Sequence, residues 1–368
     1  MALTLHGTVS DNTVALDRKT ATPLIINGDM AIAQRGTSVT GITGTGYSTL
    51  DRFSLGLSNL GTWTQSQSTD VPNGQGFSNS LKLDCTTANA SPTGTNNMAI
   101  MQRFEGQNLQ MLNKGTSDSE VVTISFWVKS NKTGTYILEL RDADNVRIIC
   151  KAYTIDSANT WEKKLLSFAG DTTGTLDNDN NLSLHARWWL GAGSDFTSGT
   201  LATSWEASTN ANRAVGQVNL ADSTSNDWYI TGIQMEIGTF DANSIPPFQF
   251  EDRATSLARC QRYCYQEDNS DTYHNQVNGF FSSSTLFIGL LALPVALRST
   301  PTLVTSGDYQ TTGTGSLDAS SLTIVDSTGT DLNKIQVRAT VSGATAGQGG
   351  VLRNKNDADA IFRLDSEL

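Results

Sequence analysis

The chain has 368 residues, of which 38% are hydrophobic, only 17% are charged and 32 are glycine. That length suits roughly two domains of ~150 residues, and the charge content falls below the ~25% of ordinary soluble domains. A formal charge of -11 repels phosphate backbones and anionic lipid, which argues against nucleic-acid binding and membrane docking.

In chain order, Met1–Ser10 lacks a basic n-region and an apolar h-region, so no secretion signal is expected. Residues 1–22 read as a polar lead with weak alternation at Leu3, Leu5, Val14 and Leu16. Residues 23–245 carry repeated strand signals. The clearest is Val121–Ser130, where Val122, Ile124, Phe126 and Val128 share one face. Thr123, Ser125 and Lys129 share the other, interrupted by Trp127. This period of two marks a half-buried strand. Tyr136, Leu138 and Leu140 repeat it, followed by Val146, Ile148 and Cys150, then by Trp161–Phe168. Leu182, Leu184, Ala186, Trp188 and Leu190 make another face, and Tyr229, Thr231, Ile233, Met235 and Ile237 make the last. Turn signals at 131–134, 142–145 and 177–181 separate the runs. The pattern predicts a mainly β fold, an antiparallel jelly-roll-like β-sandwich.

Residues 246–268 begin with Pro246-Pro247 and turn helical, with Asp252 as the expected N-cap. Leu257, Cys260, Gln261 and Cys264 share a face there, which puts the two cysteines one turn apart. Residues 269–368 return to strands and glycine-rich turns, a smaller C-terminal β-domain. The run Leu286–Leu297 is too short to span a membrane, which takes ~20 residues. It reads as apolar on both faces, and a domain of ~100 residues has limited interior to cover both. A symmetry mate would cover the second face, with Leu257, Cys260 and Cys264 joining the seam; a central strand covered on both faces within one subunit is the alternative.

Motifs that carry catalysis are missing. There is no Gly-x-Ser-x-Gly elbow, His-Glu-x-x-His or Walker loop. His6, His185 and His274 lie far apart, and His185, out of phase with Leu184 and Ala186, is expected at the surface. Cys85, Cys150, Cys260 and Cys264 form no CxxC pair and read as buried thiols of a protein made in a reducing compartment. No catalytic residue and no cofactor is therefore assigned. Asp177, Asp179 and Asn181 match the opening of a calcium loop, but Leu182 stands where the turn needs Gly and Trp188 where it needs Glu. A solvated acidic turn and a structural calcium site both stay open for them. Recognition falls to the aromatics, whose rigid rings stack on sugar faces. Trp188 and Trp189 must point to opposite sides of one strand, one in the core and one outside it. Trp189 and Trp205 are the candidate glycan-binding rings.

Several stretches carry a resemblance. They are LIINGDMAIAQRG at 24–36, YSTLDRF at 47–53, ISFWVKS at 124–130, NTWEK at 159–163, YITGIQMEIG at 229–238, PFQFED at 247–252 and RCQRY at 259–263. In this combination, over about residues 20–265, the chain resembles a family of tail-fibre-like virion proteins of phages and prophages. The family sets a carbohydrate-binding-type β-sandwich before a "CQRY" helix and a variable C-terminal β-domain. Cys264 stands where the family usually has Tyr. The resemblance implies a virion protein made in the host cytoplasm and a homotrimer that contacts host-surface glycan without catalysis. It also implies attachment to other virion proteins through residues 1–22. A ligand-free head fibre, decoration protein or tail adaptor is the first alternative. A polysaccharide depolymerase using a carboxylate pair is the second.

Overall fold

In the computed structural model, residues 19–20, 22–267, 271–313, 315–325 and 332–368 are described. Most of the expected attachment segment, residues 1–18 and 21, lies outside them. The chain divides into two units, residues 1–253 with Leu368, and residues 254–367.

The strands of the first unit are β1 (Ser38–Gly46), β2 (Ser54–Ser68), β3 (Ser80–Thr87), β4 (Asn97–Glu105), β5 (Val122–Ser130) and β6 (Gly134–Asp142). They continue with β7 (Arg147–Ile155), β8 (Glu162–Phe168), β9 (Leu182–Ala192), β10 (Glu206–Ala207) and β11 (Asp227–Ile237), with one short helix, α1 (Ser194–Thr197), after β9. All pair antiparallel in the order β10-β7-β6-β9-β4-β2-β3-β11-β5-β8, with β1 added on β2. This is the expected antiparallel sandwich, folded from one continuous path.

The fold is possible because β2 serves both layers. Its first half pairs with β4 through Ser54–Ser58, and its second half pairs with β3 through Thr62–Ser68. The bend between them places Asn59 and Gly61 at φ of 50° and 81°. A side chain at Gly61 would put its Cβ 2.3 Å from the Thr87 carbonyl oxygen, so only glycine fits the corner. One core fills the space between the layers. Phe126 of β5 packs edge-on against Tyr153 of β7 at 5.1 Å and Trp188 of β9 at 5.9 Å, joining the layers through their inner faces.

The motifs of the first stretch act as a structural lock. Asn27, at φ 60°, donates from Nδ2 to the carbonyls of Ile32 and Asp51 and accepts from the Ile32 amide. Asp51 pairs with Arg35 at 2.9 Å, both side chains almost fully buried. Gly28 lies flat on β11, where a Cβ would meet the Ile233 carbonyl oxygen at 2.2 Å. The Ile233 amide donates back to the Gly28 carbonyl. The 24–36 and 229–238 motifs thus pack on each other, which gives them a reason to occur together.

The second unit opens with α2 (Arg253–Gln261) and β12 (Cys264–Gln266). The helix ends before Cys264, so the two cysteines are not neighbours one helical turn apart. Both are fully buried, and so is Tyr263. The Ser366 amide donates to the Tyr263 carbonyl and the Arg298 amide to the Arg262 carbonyl, so the CQRY segment ties down the end of the unit. The remaining strands are β13 (Asn275–Ser283), β14 (Leu286–Ala292), β15 (Thr302–Ser306), β16 (Tyr309–Thr312), β17 (Ser316–Ala319) and β18 (Ser321–Val325). The last three are β19 (Lys334–Thr340), β20 (Gly349–Asn354) and β21 (Ile361–Asp365). Seven form a sheet in the order β17-β16-β20-β13-β14-β19-β18, and three form a second in the order β12-β21-β15.

The run Leu286–Leu297 enters a strand with one face covered by the unit's own core and the other left outward. Its first half is β14, and there burial alternates, with Phe287 and Leu291 in the core and Leu290 55% exposed. The strand is half-exposed, because apolar residues also occupy its outer positions. The second half leaves the sheet, where Leu293 and Leu297 are buried.

Candidate functional site

The expected ring platforms take other roles. Trp188 and Trp189 do point to opposite sides of β9, Trp188 into the main core and Trp189 into a second apolar cluster. Trp189 is nevertheless fully buried, because the segment after β9 folds back and lays Phe196, Ala202 and Ala214 over it. Its Nε1 donates to Glu139 at 2.7 Å. Trp205 is half-buried, donates from Nε1 to the Ala169 carbonyl at 2.7 Å and covers Lys114, whose Nζ lies 5.2 Å from the ring centroid. It closes a cavity of about 20 Å³ over an ionic cluster in which Lys114 pairs with Asp142 and Asp171. Burial opposes the Asp171 carboxylate, but hydrogen bonds from Arg147 and Lys114 outweigh it and hold its pKa below the usual value.

The acidic turn satisfies itself. Asp179 accepts from the Asn181 amide and from its side chain, and the Asp177 amide donates to Asp144. Among the described residues, no group of three or more His, Cys, Asp or Glu is placed to hold a metal ion. His185 is corrected as well. It is 5% exposed, at an outward position of β9 between Arg103 of β4 and Arg141 of β6.

Half-exposed Trp127 and Trp161 gather instead with buried Tyr229 on the outer face of the layer β2-β3-β11-β5-β8. The strand period puts them there. Trp127, which interrupts the apolar alternation of β5, faces outward opposite Thr231 of β11 and Lys163 of β8. Tyr229, out of phase with buried Trp228 and Ile230, stands between Lys129 of β5 and Lys82 of β3. The two ammonium groups lie 4.2 Å and 5.4 Å from its ring centroid. Trp161, just before β8, meets Tyr229 edge-on at 6.1 Å. Its Nε1 donates to Asp70 at 2.9 Å, and Asp70 also pairs with Lys129. Burial opposes the charge on Asp70, but the bonds from Lys129 and Trp161 prevail and keep it a carboxylate. Tyr229 keeps its phenol proton, held first by burial and then by the neighbouring Asp227.

Further along β11 a bulge falls between Thr231 and Gln234. Gly232 sits there at φ 60°, and a Cβ would come within 2.5 Å of the Phe77 ring. Phe77 in turn packs on Phe248 and Phe250 at 5.0 Å and 5.3 Å, and Phe250 is 50% exposed. One strand thus carries two aromatic groups, the first framed by lysines and a carboxylate. Apolar rings beside fixed donors and acceptors are the chemistry that grips a sugar, ring to C–H face and side chain to hydroxyl. The sequence signalled Trp127, an aromatic at the outward position of an apolar strand, but read Tyr229 in phase with Ile233, Met235 and Ile237, and the bulge between Thr231 and Gln234 is what separates it from them.

No family model matches the chain, and no curated protein matches it. Solved structures do. One is the enzymatically active domain of tailspike protein 4 of bacteriophage CBA120, at 13% identity over 58% of this chain, with a TM-score of 0.31. That match takes in 21% of the tailspike chain. A second is the family 11 carbohydrate-binding module of Clostridium thermocellum, in complex with a mixed-linked tetrasaccharide. It matches at 12% identity over 56% of this chain and 99% of its own, with a TM-score of 0.27. A third is the C-terminal family 22 module of the same organism's Xyn10B, at 10% identity over 51% and 87%, with a TM-score of 0.26.

Proposed function

We propose that the chain is a glycan-binding, non-catalytic β-sandwich protein of a phage particle, a tail fibre or similar appendage. The observation that carries the glycan reading is the half-exposed Trp161, set edge-on to Tyr229 and held by Asp70 beside Lys129. The ring is positioned before any ligand arrives, which lowers the entropy cost of binding. The phage reading is supported by the combination of motifs, two of which, at 24–36 and 229–238, pack on each other at Gly28 and Ile233. The absence of a recognisable nucleophile, metal or cofactor motif supports a role without catalysis.

The reading extends to a homotrimer made in the host cytoplasm and carried on the virion. Its support is the outer face of the second unit. Phe280 is 49% exposed opposite half-buried Ile288, with Leu290 55% exposed on the next outward position. Copies of the same chain closing around an axis would cover this row. The α2 seam expected from Cys260 and Cys264 is withdrawn, because both are buried within the fold.

A glycan array probed with the full chain tests the reading. Binding to a defined subset of bacterial surface glycans, without release of reducing sugar, is the expected result. Binding to none, or steady release of oligosaccharide, would overturn it. Sedimentation tests the trimer, and a stable monomer at micromolar concentration would refute it.

A further inference from the structure

The other layer of the sandwich carries a charge arrangement on its outer face that the fold leaves unpaired. Arg141 of β6, His185 of β9 and Arg103 of β4 stand directly opposite one another across three adjacent strands. Cross-strand neighbours of this kind have Cβ atoms about 5 Å apart. Arg187, two residues along β9, shares their face and stacks over Trp189 at 5.1 Å.

The nearby carboxylate Glu139 attracts Arg187 and Arg141, but its hydrogen bonds go elsewhere. Arg213 takes it with three contacts of 2.8–3.2 Å, and Trp189 takes another. Arg103 donates to the hydroxyls of Tyr47 and Ser54. Arg141 and Arg187 make no hydrogen bond or ion pair among the described residues, and the Nε of each is buried without a partner. Neither ring nitrogen of His185 has a partner, although the residue is only 5% exposed. The three arginines each keep part of their surface in solvent.

Half-buried guanidiniums that make no hydrogen bond to a carboxylate, around a buried and unpartnered imidazole, are costly, and an apolar outer face would be cheaper to fold. Departures from full pairing concentrate where a fold binds something. Guanidinium forks match planar and tetrahedral oxyanions through paired N–H bonds. In a chain of formal charge -11, collecting arginines on one face creates a local attraction that the whole molecule opposes.

We propose that this row is a binding site for an oxyanion borne by a sugar, the carboxylate or sulfate of an acidic glycan. Arg141 and Arg187 grip the oxyanion, Arg103 adds charge, and His185 offers a ring nitrogen at the floor. The proposal rests on the glycan reading for its ligand and on this cradle for its charge.

The test is titration calorimetry of the full chain with oligogalacturonate, a sulfated oligosaccharide, an uncharged oligosaccharide and sodium sulfate alone. An acidic saccharide should bind, and Arg141→Gln/Arg187→Gln should weaken it at least about tenfold while melting stays at the parent temperature. If that variant melts lower, the nitrogen resonances of the His185 ring in the parent protein decide instead. They should shift when the acidic saccharide is added and stay still with the uncharged one. Equal affinity for sodium sulfate would mean an adventitious ion only and overturn the proposal. Acidic-glycan binding unchanged in the double variant but lost in Trp161→Ala would overturn it while leaving the aromatic face standing. Binding of no saccharide at all would overturn both.

Discussion

Phe126→Ala is the substitution whose cost is best defined by the structure. The side chain has no solvent exposure and sits between the layers, edge-on to Tyr153 and Trp188. Its removal takes away apolar burial and leaves a cavity lined by two large rings that cannot close onto it. Core Phe→Ala changes cost about 3–5 kcal/mol. In a unit of this size each kcal/mol moves the melting midpoint by about 2–4 °C, so a drop of roughly 10 °C is expected. Trp127→Ala, one position on and facing outward, should cost less than half as much. Calorimetric melting of the two variants beside the parent measures both. If Phe126→Ala melts like the parent, or Trp127→Ala costs more, the assignment of inner and outer faces to β5 is wrong.

The remaining predictions concern buried polar groups. Burial first, and then Arg187, Arg103, Arg141 and Arg213, push the His185 pKa from 6.5 down to about 2. The unfolded chain therefore binds the proton first. Stability should be full above about pH 6.5 and fall by about 1.4 kcal/mol per pH unit below it. His185→Gln should flatten that arm in urea titrations, and an unchanged slope would remove His185 as its source. Arg213→Met strands the fully buried Glu139 and should cost about 3–5 kcal/mol. Replacing Glu139 by Leu as well should recover part of that loss in the same denaturation assay. Cys85 and Cys150 are buried, and burial raises both thiol pKa values. The native protein should resist a thiol reagent that labels it rapidly in denaturant, and prompt native labelling would contradict their placement.

Much of the first unit was legible because strands with one buried face alternate, and the alternation of Val122–Val128 or Leu184–Leu190 reports the face directly. What alternation does not report is whether the outer face is wet. Trp189 and His185 occupy outward positions of β9, yet both are buried. For Trp189 the cover is Phe196, Ala202 and Ala214, a segment with little regular structure whose docking leaves no periodic trace. The packing role of Trp205 was hidden for a related reason. Its partners Lys114 and Ala169 come from loops 91 and 36 residues away.

The run Leu286–Ala292 presents the opposite case. Apolar residues at every position read as burial on both faces, but Leu290 is exposed within the described chain. Composition cannot separate a strand covered by its own fold from one awaiting a second copy. The aromatic face was readable in part, since Trp127 breaks the apolar phase of its strand, whereas Tyr229 reads in phase with Ile233, Met235 and Ile237 until the bulge between Thr231 and Gln234 is known. Its completion by Asp70 and Trp161 depends on pairing between residues 91 positions apart.

The central claim is that the outer face of β11 and β5 binds sugar through Trp161. The direct measurement is calorimetric titration of one array-selected glycan into the parent chain and into Trp161→Ala. The ring is half-buried on the surface, so melting should be nearly unchanged while affinity falls about tenfold or more, the scale of a hot-spot aromatic. Equal affinity in the two proteins would contradict the account.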